Sequence, residues 1–176
     1  MRKDGQSAVD REHLVAGQKP HSIIISCSAS RIPPEIIFDQ KLGEVFVVRN
    51  AGEALDSVSL ASIEYAIEHL GSRLILVLGH ESCGAVKAAI STMNGTSAGS
   101  PHLDKLVADI QPRIKEVLSG RATASTGAIV EAQANAKGIT ADLPLRSQII
   151  QHKLEKGELE IHHAIYFLDS GKVEFK

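Results

Sequence analysis

Ser22-Ile23-Ile24-Ile25-Ser26-Cys27-Ser28-Ala29-Ser30-Arg31 is the stretch from which the fold is read. Three consecutive isoleucines without a polar alternation describe a strand buried on both faces, the kind found in parallel sheets covered by helices. The strand is expected over Ser22–Cys27 and is followed by small polar residues. Ile32-Pro33-Pro34 then forbids a helix until after the second proline. A second run of the same kind, Leu74-Ile75-Leu76-Val77-Leu78, leads into Gly79-His80-Glu81-Ser82-Cys83. The chain has two cysteines, and each follows one of these runs. In open α/β sheets ligands bind in the crevice beyond the carboxyl ends of the strands. Both cysteines are expected there.

Working outward, Val45–Arg49 reads as a strand closed by the turn Asn50-Ala51-Gly52. Asp56–Leu70 reads as a helix with Leu60, Ile63, Ala66, Ile67 and Leu70 on one face and Gly71 as its stop. Arg73–Gly79 is the third strand, and a helix starts at Ser82. Leu103–Leu118 is periodic, between a loop at Asn94–Pro101 and a polar connection at Gly120–Gly127. From Ala128 to Lys156 the pattern is helical, with a break expected at Gly138 and a restart near Pro144. Ile161–Leu168 is the fourth strand, and Asp169-Ser170-Gly171-Lys172 turns it into Val173–Lys176. Strands alternating with helices imply parallel crossovers. The expected fold is therefore α/β: a mainly parallel four-stranded sheet flanked by helices, with a C-terminal antiparallel edge strand.

With 176 residues and a hydrophobic fraction of 43%, the chain is expected to form a single domain over 1–176 with a buried core, preceded by a short arm over 1–20. The arm has a short helical possibility around Val9–Ala16. Nineteen basic residues against 21 acidic give a net charge of -2, which argues against nucleic acid or an anionic membrane as partner. No apolar run is long enough to span a bilayer. The charged start, Met1-Arg2-Lys3-Asp4, lacks the apolar segment of a secretory signal. Two cysteines do not make a disulfide framework, so a reducing cytoplasm is the expected location.

Two thiolates and an imidazole form a ligand set that zinc accepts. Three protein ligands leave a fourth position for water or substrate, and no further ligand at short spacing is apparent. Cys27, His80 and Cys83 are on this basis candidate ligands of an open, catalytic zinc site. Core packing of two free cysteines and a Cys27–Cys83 disulfide are the competing readings. Cys83 falls at the first turn of a helix, where free N–H groups favour a thiolate. Gly84 beside it keeps the backbone open toward the metal and is a candidate substrate-binding position. The remaining histidines, His13, His21, His69, His102, His152, His162 and His163, have no ligand spacing and read as surface residues. Glu35 and Asp39 follow the first motif closely enough to touch the site, although Glu35 reads more readily as a cap or surface residue.

Several motifs resemble those of the β-class carbonic anhydrases. They are Cys27-Ser-Ala-Ser-Arg31-Ile-Pro-Pro-Glu35, Phe38-Asp39-Gln40, Phe46-Val-Val-Arg-Asn-Ala-Gly52, Ser62-Ile-Glu-Tyr65-Ala66 and Gly79-His-Glu-Ser-Cys-Gly-Ala85. Gly157-Glu-Leu-Glu-Ile161, Ala164-Ile-Tyr166 and Gly171-Lys-Val-Glu-Phe175 continue the likeness, which covers nearly the whole chain from Gln18. It implies one zinc per chain on Cys27, His80 and Cys83. It also implies substrate contacts from Gln18, Phe46 and Tyr65, with Phe46 reaching in from a neighbouring subunit of a homodimer or homotetramer. From the residues alone, Phe46 and Tyr65 read as core and Gln18 as surface. The family's N-terminal helices are usually longer than the 26 residues that precede Cys27 here.

One position departs from the family's C-x-D-x-R pattern: Ala29 stands where the aspartate belongs. In the family that aspartate pairs with the arginine, here Arg31, and orients the reacting water; in one branch it can also swing onto zinc. Ala29 can do neither, so the fourth position is expected to stay open to water or a small anion, and Arg31 to find a carboxylate, bound anion or water elsewhere. The substitution marks either an engineered change or a divergent paralogue. Zinc lowers the pKa of a bound water to about 7, and the activity implied is reversible hydration of carbon dioxide to bicarbonate, slowed by the loss of the aspartate. A hydrolase of carbonyl sulfide or carbon disulfide, and a zinc-binding paralogue without activity, are the alternatives.

Overall fold

The structure, a computed structural model, describes residues 8–119 and 124–176. Half of the polar connection expected at 120–127, and the start of the arm, lie outside the described residues. The expected sheet is present. Strands β1 (Ser22–Cys27), β2 (Val45–Asn50), β3 (Leu74–His80), β4 (Glu160–Tyr166) and β5 (Val173–Phe175) form one sheet in the order β2-β1-β3-β4-β5. The first four are parallel and β5 is antiparallel to β4. Every residue of β1 is buried, as the unbroken isoleucine run requires.

The alternation of side chains along the strands divides the core. Ile23, Ile25, Ile75, Val77 and Ile165 face one side and pack on Ile63, Ala66 and Ile67 of α3 (Ser57–Glu68), Ala136, Ile139 and Leu143 of α6 (Ile129–Arg146), and Ile150 of α7 (Gln148–Glu155). Ile24, Leu76, Leu78 and Ala164 face the other side, under Ile37 of α2 (Pro34–Ile37) and the adjoining Phe38. A third cluster closes over the carboxyl ends of the strands. There Cys27, Ile32 and Cys83 pack with Val86 and Ala89 of α4 (Gly84–Ser91) and with Val107, Ile110 and Ile114 of α5 (Pro101–Leu118).

Most elements shift by one or two residues at an end, and four differences from the sequence reading concern helices. Helix α2 begins at Pro34 itself, because a proline at the first helical position gives up only an N–H that has no partner there anyway. The helix expected from Ser82 begins at Gly84, since Ser82 is in the left-handed region with φ 54°. Helix α6 runs through Gly138 without a break: a Cβ at that position would lie 2.7 Å from Cγ of Arg113, so the glycine admits a close-packed side chain from α5. It also accommodates Pro144 in its last turn and ends at Ser147, whose hydroxyl accepts from the Ile150 N–H at 3.2 Å and starts α7. In the arm, α1 spans Ala8–Leu14, close to the expected short helix.

Candidate metal centre

Adjacent strands β1 and β3 end on Cys27 and His80, and Cys83 sits three residues on as the residue capping α4. All three are buried. The two cysteines are free, with their sulfurs 4.0 Å apart, far from a disulfide bond length. Two zinc–sulfur bonds of about 2.3 Å at a tetrahedral angle separate the sulfurs by about 3.8 Å, so the spacing suits a shared zinc. His80 Nδ1 lies 2.7 Å from the Glu81 carbonyl, which assigns the proton to Nδ1 and leaves the Nε2 lone pair free. Nε2 is buried without a hydrogen-bond partner. A buried acceptor of this kind is costly unless something binds it, and a metal ion fits.

Gly52 explains part of the geometry. Its φ of 63° lies in the left-handed region, and its N–H donates to Cys27 Sγ at 3.2 Å. A Cβ there would meet Ile110 Cδ1 at 2.7 Å and Ala85 Cβ at 2.8 Å, so only glycine lets the backbone come this close to the sulfur. The hydrogen bond from the Cys83 thiol holds Cys27 well below the ordinary thiol range, against its own burial, with His80 and the Gly52 N–H adding to the shift. Cys83 is pushed up, first by that same shared proton and then by burial. One of the two sulfurs is thus readily a thiolate, as a metal ligand must be.

A fourth donor was not among the residues read from the sequence. Glu53 lies in the connection from β2 to α3, in the short 3-10 turn Ala51–Glu53, and it is buried. Ligand atoms of Cys27, Glu53, His80 and Cys83 all fall within 4.8 Å of one another. Glu53 has φ 54°, a conformation that costs a non-glycine residue about 1–3 kcal/mol and tends to mark functional positions. Its Oε2 accepts from Asn135 Nδ2 at 3.1 Å, and its Oε1 is buried without a partner. Burial, then the charge of Cys27, pushes its carboxyl well above the usual carboxylate range. The sequence reading found no further ligand at short spacing, and Glu53 adds a fourth candidate donor to its three. The only advance signal was its place, the residue after Gly52 in one of the family-like motifs.

Arg31 is exposed and donates to the Ser82 backbone carbonyl at 3.2 Å, rather than to the carboxylate, anion or water expected of a buried arginine. Ala29 is partly buried against the cysteine cluster. Arg49, to which no role was assigned from sequence, donates to the carbonyls of Cys27 at 2.9 Å and Ala29 at 2.7 Å and so fixes the loop after β1. Gly84 is exposed, and an added Cβ would meet nothing within 4 Å. Glu35 and Asp39 do not join the group of metal-binding donors.

Gln18, Phe46 and Tyr65 are not brought to this centre. Gln18 is exposed and lines a surface cavity of about 480 Å³ with Arg11, Leu14 and Leu42. Phe46 lies near the start of β2, at the opposite end of the strand from Asn50, the partner of Cys27. Its ring is 6.5 Å from that of Tyr65, which is half exposed on α3. The expectation that these two are core residues holds for Phe46, partly buried against the core, but not for Tyr65.

Residues 22–173 match the sequence profile of the family described as carbonic anhydrase. The chain belongs to the β-carbonic anhydrase family. Its relatives include carbonic anhydrase 2 of Mycobacterium tuberculosis, 41% identical over 167 residues, which span 95% of this chain and 79% of that protein. Among solved structures, the β-carbonic anhydrase CcaA superimposes with a TM-score of 0.84 at 28% identity, covering 94% of this chain and 83% of that one. One of two tetrameric β-carbonic anhydrases from Sordaria macrospora gives a TM-score of 0.80 at 26% identity, over 94% of this chain and 84% of that one. Members of this family are metalloenzymes, and the β-carbonic anhydrase fold of CcaA is the fold described above.

Proposed function

We propose that the chain is a zinc-dependent carbonic anhydrase that interconverts carbon dioxide and bicarbonate. The observation that carries this reading is the buried donor cluster at the strand ends, with the unpartnered His80 Nε2 facing two free sulfurs, in a chain of this family. Cys27, His80 and Cys83 hold the metal, one ion per chain. Zinc supplies acidity, lowering the pKa of a water that it binds to about 7. The chain's own residues do the rest. Gly52 stabilises the Cys27 thiolate, the Glu81 carbonyl fixes the His80 ring, and Arg49 and Arg31 hold the loops that carry Cys27 and Ser82.

Ala29 presents a methyl group where the family has a carboxylate, so the reacting water lacks that acceptor. Activity is accordingly reduced. Gln18, Phe46 and Tyr65 are separated from the centre of their own chain, which supports a site completed across a subunit boundary, with Phe46 offered to the partner. A homodimer or homotetramer follows, as in the tetrameric relatives from Sordaria macrospora. No helix among the described residues is long and apolar enough to cross a membrane, and a reducing cytoplasm suits the two free thiols.

Stopped-flow hydration of carbon dioxide by the zinc-loaded full chain is the test. Hydration above the buffer rate that disappears on chelation and returns with zinc is the expected result. Hydration equal to buffer in the zinc-loaded wild type and in Ala29→Asp alike contradicts the proposal.

A further inference from the structure

Three donors account for the metal site expected from sequence, yet a fourth buried donor lies among them. We propose that Glu53 is the fourth ligand of the zinc ion at rest, through Oε1, so that the chain restricts access to its own metal site from the β2 side and slows hydration without abolishing it. The inference rests on the zinc reading above and deepens it.

Two of the three buried side-chain atoms without a partner among the described residues are Glu53 Oε1 and His80 Nε2. Both residues belong to the group, among the described residues, whose members each offer one ligand atom within 4.8 Å of the others. A carboxylate oxygen, an imidazole lone pair and a thiolate repel one another when they converge without a cation, and a single divalent ion satisfies all of them together with the second sulfur. Zinc accepts carboxylate oxygen alongside sulfur and nitrogen.

The carboxylate is also aimed. Arg113, almost fully buried, donates to Asn135 Oδ1 at 3.4 Å while paired with Asp109 and Asp142. That contact fixes which way the Asn135 amide faces. Its Nδ2 then donates both to the Gly52 carbonyl at 2.9 Å and to Glu53 Oε2 at 3.1 Å. One carboxylate oxygen is held and the other is left facing the cysteines and histidine. Asn135 is a positioning residue in this arrangement. Where the family keeps its carboxylate after the first cysteine, this chain has Ala29 there and a carboxylate after Gly52 instead.

The test uses the full chain loaded with cobalt(II) in place of zinc, with azide as the probe of an exchangeable position. The wild-type visible spectrum should not change at azide concentrations that shift the spectra of Glu53→Gln and Glu53→Ala. Both variants should still bind one zinc per chain, about 10–100-fold more weakly by chelator competition. Glu53→Gln keeps the size of the side chain and an acceptor for Asn135, which guards against a folding defect. The wild-type azide titration decides the matter even if neither variant folds. A wild type that binds one cobalt through Cys27, His80 and Cys83 yet responds to azide overturns the role of Glu53 and leaves the zinc reading standing. A wild type that takes up neither metal overturns both.

Discussion

Cys27 and His80 owe their meeting to register: β1 and β3 are parallel, with Ser26 opposite Leu78, so both strands release their last residues into the same crevice. The thiols and the ring were legible in the sequence because each followed an apolar run. Glu53 was not, because a glutamate after a glycine in a turn ordinarily faces water. Its inward direction comes from two consecutive left-handed residues and from Asn135, 82 positions further along the chain. Two predictions belong at this scale. Gly52→Ala should cost about 1–3 kcal/mol, since the new Cβ meets Ile110 and Ala85 and the backbone is left-handed. A lowered Tm together with weaker zinc binding is the expected outcome, and an unchanged Tm contradicts the role given to this glycine. Ala29→Asp should raise carbon dioxide hydration, by about 10²–10⁴-fold where an orienting carboxylate is fully effective. The gain should be larger in a Glu53→Ala background than in the wild type, because the two carboxylates compete for one place. Equal gains in a double-mutant cycle of kcat/KM would show that the two positions are independent.

At the scale of elements, β1 and β3 were legible because their uninterrupted Ile, Leu and Val runs have few other uses in a chain of this size. Helix boundaries were less so. Gly138 reads as a break, yet its missing side chain makes room for Arg113, a contact between helices that no local pattern shows. The true break is Ser147, whose hydroxyl accepts from the Ile150 N–H and donates to Glu64 Oε1 at 2.6 Å, linking α7 to α3. Ser147→Ala should therefore cost about 1–2 kcal/mol of stability, read as a lower urea midpoint with an unchanged slope. Zinc content should not change, because the cap lies at the far end of α6 from Asn135. A stability equal to wild type would mean that the α6–α7 break is set by packing alone.

For the whole molecule, the parallel pairing and the antiparallel last strand followed from the alternation of strands and helices and from the final turn, whereas the order β2-β1-β3-β4-β5 is seen only in the structure. What the single chain leaves separated is the other lesson. Gln18, Phe46 and Tyr65 sit away from the metal-binding donors, and apolar side chains such as Val58 and Ile36 are well exposed. A two-fold assembly that covers the β2 side would bring one chain's Phe46 toward its partner's centre. Sedimentation at micromolar concentration should show a dimer or tetramer, and Phe46→Ala should lower hydration without lowering zinc content. A monomer with full activity contradicts this account of the pocket.

Zinc per chain is the most direct measure of the central claim. Elemental analysis of protein purified under reducing conditions, beside Cys27→Ser and Cys83→Ser, should give one zinc per wild-type chain and a large loss of metal in both variants. A folded wild type without zinc, or one with Cys27 and Cys83 joined as a disulfide, would contradict it.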